Sequence, residues 1–316
     1  MKIPPARSLA WFGVFALVLL SAPAVAERGT LNDLWNVAFA VVLASAWNLL
    51  GGFAGQISLG YSAFVGIGAY TTVLLTMAGW NPWLTLVVGA ALAVVFSVVI
   101  GLPTFRLRGP YFSIATIGVG EAVRVIASGV EFTGGSSGLR MPSGGFHFLS
   151  NYYGMAVLAL LTVAVVAYIH HHAFGLALDA IRQDIDAAEA LGVNSTRSKL
   201  LAHAVSAALV GAAGGLFAMN FQYISPGSVF DFRLSLSIVL MPIVGGIATL
   251  VGPVLGAVLF SYLQIKLLAS PTLRDSYLFI YGGLLMAVML FEPRGIVGLW
   301  ERLLRAWSRR PRAAEA

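Results

Sequence analysis

The chain has 316 residues, of which 59% are hydrophobic and only 10% are Asp, Glu, Lys or Arg, and its mean hydropathy is +0.87. Soluble globular proteins carry about 25% charged residues, and a water-soluble fold of this length could not cover so much apolar surface. The composition therefore excludes an ordinary soluble domain and predicts an integral membrane protein.

The net charge of +6 does not indicate a nucleic-acid partner. The basic residues are spread over short loops and the C-terminal tail, where membrane orientation places Lys and Arg. The chain has no cysteine, which excludes disulfides, thiolate metal sites and a cysteine nucleophile. Residues His170–His172 are consecutive and cannot share one helix face, so they make a poor metal site. We predict neither a metal nor a cofactor.

Apolar stretches follow one another along most of the chain, and each helix that crosses a hydrocarbon core of about 30 Å needs roughly 20 residues. We predict an all-α, polytopic membrane fold with about ten transmembrane helices. The predicted spans are 9–26, 34–50, 57–78, 83–102, 111–130, 154–172, 200–220, 234–250, 252–268 and 277–291. No remaining stretch is long enough for a second domain, so residues 1–316 are predicted to form a single transmembrane domain.

Residues 1–26 allow two interpretations. Lys2 and Arg7 precede an apolar run, and Ala24-Val25-Ala26 resembles the small-residue cleavage site of a signal peptide. The alternative is a first transmembrane span that stays uncleaved. We favour the retained span, because nine further spans follow it.

The predicted loops indicate an orientation. With both termini in the cytoplasm, most of the 19 Lys and Arg residues fall in cytoplasmic loops and at the two ends, in agreement with the positive-inside rule. Residues 131–153 then form a periplasmic loop. Residues 173–199 form a cytoplasmic segment, which contains the one substantial polar helix that the sequence predicts.

A glycine-rich polar stretch, residues 51–60, separates two apolar runs. Close helix packing is one explanation of such glycines. The other is a discontinuous helix near 51–60, whose freed backbone groups line a translocation pathway. On that interpretation the residues next to the pathway are Gly55, Gln56, Ser58 and Gly60. The Gly-Gly-x-Ala pattern at Gly51 recurs at Gly245, but four residues are too few to establish an internal repeat.

Glu121 and Arg124 lie inside the fifth predicted span. Charged residues at membrane depth indicate a functional site by default. Their i, i+3 spacing also lets them pair on one helix face, as a neutralised structural contact would. Both interpretations stay open.

The segment 173–199 predicts an amphipathic helix over 178–192 that couples the membrane domain to a partner. An apolar stripe could anchor it to that partner or to the membrane domain, acidic residues set polar contacts, and Gly192 ends the helix. Interfacial helices usually have basic polar faces, so this acidic one favours a protein partner. The coupling residues are Leu178, Ile181, Ile185, Asp186, Glu189 and Gly192.

Catalytic motifs are missing from the sequence. It contains no phosphate-binding loop, no H-E-x-x-H zinc motif and no G-x-S-x-G nucleophile turn. We therefore predict a transport subunit rather than an enzyme, with ATP hydrolysis, where it is needed, in separate subunits.

Several motifs together resemble those of one transporter family. They are the run from Trp47 to Phe64 (WNLLGGFAGQISLGYSAF), the run from Arg108 to Thr116 (RGPYFSIAT), the run from Thr133 to Leu139 (TGGSSGL) and the run from Glu292 to Gly298 (EPRGIVG). With these motifs, residues 40–300 resemble the permease subunits of branched-chain amino acid ABC importers, and among them the M-type rather than the H-type permease.

The resemblance implies a bacterial inner-membrane importer. It implies a heterodimer with a second related permease, two cytoplasmic ATPase subunits and a periplasmic solute-binding protein. The implied substrates are branched-chain amino acids or related small amino acids and amides. The alternative is an ion-coupled secondary transporter of small polar solutes, a class that usually keeps carboxylates or histidines at the membrane midplane, where only Glu121 qualifies here.

Overall fold

The computed structural model describes residues 6–142, 147–269 and 295–308, together with positions 279–280, 282–283, 286 and 290. The described chain is almost entirely helical. In chain order, the helices of its first half are α1 (Ala6–Val25), α2 (Arg28–Asn48), a π-helical turn (Leu49–Phe53), α3 (Ser62–Met77), α4 (Pro82–Thr104) and α5 (Pro110–Gly129), followed by the 3₁₀ turns Glu131–Thr133 and Gly135–Ser137.

The second half continues the pattern. Its elements are β1 (Leu139–Arg140), α6 (Phe148–His171), α7 (Ala173–Gln183), α8 (Ile185–Ala190), α9 (Ser195–Phe221), β2 (Tyr223–Ile224), α10 (Pro226–Val229), α11 (Phe232–Gly245), α12 (Gly252–Ala269) and α13 (Gly295–Ser308). The two short strands pair antiparallel, with Leu139 opposite Ile224. The all-α fold that the sequence predicts is confirmed.

Six described helical segments are long and apolar enough to cross a membrane, and shorter apolar helices occur at Gly13–Ala24, Ser62–Met77 and Gly252–Leu267. Together they correspond to the first nine predicted spans. The tenth, 277–291, lies outside the described residues apart from isolated positions, so the count of ten stays a prediction. Several boundaries differ from the predicted ones: α2 begins at Arg28, α6 at Phe148 and α9 at Ser195, each before its predicted span, and α3 begins only at Ser62.

Local chemistry sets several helix ends. The side chain of Asn81 accepts a hydrogen bond from the backbone N–H of Trp83, and Pro82 occupies the first position of α4. Asp231 caps α11 in the same way through the N–H of Arg233. Such side chains satisfy backbone donors that a helix leaves without an intrahelical partner.

Small residues bring α3, α4 and α9 into backbone contact. A Cβ atom on Gly68 of α3 would lie 1.8 Å from the carbonyl oxygen of Gly211, and one on Gly214 would lie 2.1 Å from that of Val65. Only glycine fits at such crossings, as is typical where membrane helices approach closely. These glycines therefore pack helices together.

Helix α2 lies at the centre of the described chain. Of the 18 most apolar consecutive residues in Arg28–Phe53, 83% are buried. It ends where a second chain reversal, between α11 and α12, comes against it. Asn48 donates through Nδ2 to the carbonyl of Thr249 at 2.9 Å, and its Oδ1 accepts from the N–H of Ala248 at 3.0 Å. The two Gly-Gly-x-Ala runs, which start at Gly51 and Gly245, are thus neighbours in space.

Candidate functional site

The chain between the π-helical turn and α3 is not helical, and we call these residues, 54–61, the broken segment. It follows the π-helical turn. Side chains satisfy two of its backbone oxygens: Trp47 Nε1 donates to the carbonyl of Ser58 at 2.8 Å, and Ser113 Oγ donates to that of Ile57 at 2.6 Å. Unsatisfied backbone groups cost several kcal/mol in a bilayer, so these two bonds stabilise non-helical backbone between two apolar helices.

The broken segment packs directly on α5. The N–H of Leu59 donates to Thr116 Oγ1 at 3.0 Å, and a Cβ atom on Gly60 would lie 2.5 Å from the carbonyl oxygen of Thr116. At the start of α3, the N–H of Ser62 donates to Ser235 Oγ at 2.9 Å. The end of the segment is therefore wedged between α5 and α11.

The four predicted pathway residues occupy different surroundings. Gly60 and Ser58 are buried, and the side chain of Gln56 is also buried while its N–H donates to the carbonyl of Leu50 at 3.1 Å. Gly55 is exposed, has a φ of +69°, and faces Arg182 of α7. The structure thus brings Gly60 to α5 and Gly55 to the predicted coupling segment, rather than all four to one surface.

Two cavities lie beside α5 where it faces the loop before α11. The first has a volume of about 380 Å³ and is lined by Glu121, Arg124, Gly227, Asp231, Phe232 and Arg233. The second has a volume of about 280 Å³ and is lined by Leu59, Ser62, Ile117, Gly120, Glu121, Phe230 and Phe232. We call them the charged cavity and the apolar cavity. They share Glu121 and Phe232, so they adjoin.

Sequence reasoning identified Glu121 and Arg124 but missed the rest of this cavity lining. Arg124 Nε donates to Glu121 Oε2 at 2.9 Å, and a second guanidinium nitrogen contacts the other carboxylate oxygen. Both side chains stay more than a third exposed in the single chain. The pair forms part of a cavity wall. The charge pattern of Asp231 and Arg233, at the edge of a predicted span, is the sequence signal that could have revealed more of this wall.

The predicted coupling helix 178–192 is two helices. The backbone of Asp184 is extended, with φ −158° and ψ 118°, and its carboxylate accepts hydrogen bonds from the N–H groups of Asp186 and Ala187. Asp184 therefore ends α7 and caps α8. An aspartate is a favoured N-cap residue, and the prediction of one continuous helix overlooked that signal.

The apolar stripe of this segment faces its own membrane domain. Leu178 and Ile181 are buried, Ile185 is half-buried, α7 packs on α6, α9 and the π-helical turn, and α8 packs on α9. Gly192 has a φ of +87°, its N–H donates to the carbonyl of Glu189, and the N–H of Val193 donates to that of Ala188. These are the two bonds of a Schellman motif, so Gly192 ends α8 as predicted from its type.

Intramolecular partners occupy the four carboxylates of α7 and α8. Asp179 accepts from Arg182, Asp184 from backbone N–H groups, Asp186 from Arg108 at 2.9 and 3.2 Å, and Glu189 from Ser195 Oγ. The hydrogen bonds that the Arg108 guanidinium donates to Asp186 raise the pKa of this guanidinium above its usual value. The ion pair ties the α4–α5 loop to the segment. Within residues 173–193, the large apolar side chains that stay exposed are Leu176 and Leu191, the latter 84% exposed.

One contact from the end of α6 and one from α7 reach the π-helical turn and the broken segment. The ring of His170, at the end of α6, stacks on Phe53 of the π-helical turn with centroids 5.0 Å apart. A Cβ atom on Gly55 would lie 3.0 Å from Arg182 Cγ. Displacement of α7 would therefore meet the first residues of the broken segment directly.

The comparisons with known proteins agree on one family. Residues 30–289 match the family model described as the permease component of branched-chain amino acid transport systems. The chain is 30% identical to the high-affinity branched-chain amino acid transport permease LivM of Escherichia coli, over 90% of this chain and 74% of that protein. Identity to LivM of Salmonella typhimurium is 28%, over 95% of this chain and 77% of that protein.

A second type of relative is more distant. The branched-chain permease LivH of Escherichia coli is 24% identical, over 81% of this chain and 90% of that protein. No solved structure matches the chain. The chain belongs to the family of branched-chain amino acid transport permeases, and it is a multi-pass membrane transport subunit rather than an enzyme.

Proposed function

We propose that this permease is the M-type subunit of an ATP-driven importer that moves branched-chain amino acids into the bacterial cytoplasm. Family membership and the higher identity to LivM than to LivH support the M-type assignment. The LivM and LivH relatives also support pairing with a second, related permease. Two ATPase subunits and a periplasmic solute-binding protein complete the proposed complex.

The proposed orientation has both termini and the α7–α8 segment in the cytoplasm. The α4–α5 loop and the start of α9 lie at the same end of the bundle as this segment, through the Arg108–Asp186 pair and the α8–α9 packing. Arg106, Arg182, Arg197 and Lys199 belong to these elements. Such a concentration of basic residues at one end supports its cytoplasmic placement.

The observation that carries the proposal is the contact between α7 and the broken segment. An ATPase that moves α7–α8 would displace Arg182 against Gly55, at the start of the broken segment, whose last residues lie beside the apolar cavity. Since the carboxylates of α7 and α8 have internal partners, the exposed Leu176 and Leu191 are the side chains best suited to enter a groove on the ATPase. The apolar stripe fixes the segment to the permease.

Reconstitution tests the proposal. The permease, its proposed sister subunit and the proposed ATPase subunits would be placed in proteoliposomes with the binding protein, and uptake of labelled leucine would be followed with ATP inside. We expect uptake with ATP and none with a hydrolysis-deficient ATPase, while the permease purified alone should not hydrolyse ATP.

The same vesicles distinguish an ATP-driven importer from the alternative, an ion-coupled secondary transporter. An imposed proton or sodium gradient without ATP should drive no accumulation, and ionophores should leave ATP-driven uptake unchanged. Accumulation by the isolated chain under an ion gradient would contradict the proposal.

A further inference from the structure

The charged and apolar cavities share Glu121 and Phe232 and together form one elongated site. We propose that this site binds the transported molecule during passage, and that its ligand is a zwitterionic α-amino acid with an aliphatic side chain. The proposal rests on the proposed transport function and adds to it a location and the groups of this chain that would hold the amino acid.

The charged cavity has the composition that a zwitterion requires. Glu121 and Asp231 supply two negative charges, and Arg124 and Arg233 supply two positive charges, so the formal charge of the lining is zero. A solute with net charge would leave one charge uncompensated against a lining of zero net charge, whereas a zwitterion would not. The lining therefore favours amino acids with uncharged side chains.

The charged groups of this cavity keep donor and acceptor atoms that their internal contacts do not use. Glu121 pairs with Arg124, and Asp231 uses Oδ1 to cap α11. Within the described part of the chain, the guanidinium of Arg233 forms no ion pair. Arg233 is thus the available anchor for the α-carboxylate, and the second oxygen of Asp231 with Glu121 can receive the α-ammonium. Hydrogen bonds between charged groups are the strong ones.

The adjoining cavity suits an aliphatic side chain. Leu59, Ile117, Gly120, Phe230 and Phe232 supply most of its wall. The hydroxyl of Ser62, its polar uncharged member, donates to the carbonyl of Phe230 at 3.3 Å. A cavity of about 150 Å³ with apolar walls can hold benzene, so 280 Å³ accommodates a branched side chain of three or four carbons. Polar side chains would lose hydration there without gaining partners.

Cysteine protection tests the site, because the chain has no cysteine of its own. Gly227 lines the charged cavity, and a Cβ atom there meets nothing within 4 Å, so Gly227→Cys should fold normally. Gly129→Cys, at the exposed end of α5 and outside both cavities, also meets nothing within 4 Å and is the matched control. Both variants would be labelled with a small maleimide in the full complex, built with cysteine-free partners.

We expect leucine, isoleucine and valine to slow labelling at position 227 about tenfold or more and to leave position 129 unaffected. Leucinamide, which lacks the carboxylate, and 4-methylpentanoate, which lacks the ammonium, should not protect. Added to Gly227→Cys, Arg233→Gln should raise the leucine concentration needed by about tenfold, as the loss of one hydrogen bond to a charged group predicts. Ile117→Phe should weaken protection by leucine more than protection by alanine.

The outcomes separate this inference from the proposed function. If the complex imports leucine with ATP but leucine does not protect position 227, or if position 227 never reacts, the site is wrong and the transport function stands. Equal protection by 4-methylpentanoate would overturn the zwitterion assignment. If the complex imports no branched-chain amino acid, the proposed function itself fails.

Discussion

The close approach of Gly60 to α5 gives the sharpest test of the broken segment. Replacing Gly60 by alanine places a carbon atom 2.5 Å from the carbonyl oxygen of Thr116, whereas real Cβ atoms stay beyond 3.0 Å. Because the opposing atom belongs to the helix backbone, no side-chain rotation relieves the contact. The segment and α5 must separate by about half an ångström.

That separation disturbs the bonds that hold the break. The bond from Leu59 N–H to Thr116 Oγ1 and the bond from Ser113 Oγ to the carbonyl of Ile57 both span the same interface. Overpacking costs about 1–3 kcal/mol, and each weakened hydrogen bond adds roughly 1 kcal/mol. We therefore expect Gly60→Ala to cost about 3–5 kcal/mol and to lower ATP-driven uptake more than tenfold, and Gly60→Leu to abolish it.

The matched control is Gly118→Ala on α5, where an added Cβ meets nothing within 4 Å. Both variants would be compared for uptake in proteoliposomes and for the amount of ATPase that co-purifies. Gly118→Ala should behave as wild type, and Gly60→Ala should retain the ATPase while losing uptake. Wild-type uptake by Gly60→Ala, or an equal loss in both variants, would refute the argument from close packing.

Three further predictions address the coupling segment and the charged cavity. Gly55→Ala should impair uptake more than Gly79→Ala, because both residues have a positive φ (+69° and +86°) but only the Cβ added at position 55 also contacts a neighbour, Arg182. Equal losses in the two variants would mean that backbone strain alone causes the effect. Neutralising Glu121 or Arg124 singly should lower leucine uptake more than neutralising both, with a coupling of about 0.5 kcal/mol or more in a double-mutant cycle, and additive effects would contradict the pairing. Leu191→Glu should reduce ATPase co-purification while leaving permease expression unchanged, since this side chain is 84% exposed; full co-purification would place the docking contact elsewhere.

Patterns that lie within one helix were readable from the sequence. The apolar runs predicted the spans, the i, i+3 spacing predicted that Glu121 and Arg124 can meet, and Gly192 indicated a helix end. The glycine-rich run at 51–60 likewise indicated that the apolar runs on either side of it are separate, and residues 54–61 form no helix. Each of these signals depends on residues a few positions apart.

The candidate site itself could not be predicted in the same way. Its walls come from Leu59 and Ser62, from Ile117–Arg124 and from Gly227–Arg233, which are separated by more than 50 residues at each step. No periodicity connects such distant segments. The contact of Gly55 with Arg182 is equally non-local, and the glycine at position 55 predicted a close approach without naming the partner.

The broken segment joins the two regions that transport would have to couple. Its first glycine contacts α7, and its last residues reach α5 and the wall of the apolar cavity. Because residues 54–61 form no helix, they have no internal hydrogen-bond ladder to resist displacement, and their bonds to Trp47, Ser113 and Thr116 fix their position instead. A shift of α7 by about an ångström would therefore be passed along eight residues to a cavity about 280 Å³ in volume, where a small movement of Leu59 changes the space left for a side chain. On this argument the broken segment is the element that would link movement of the proposed ATPase to release of the ligand.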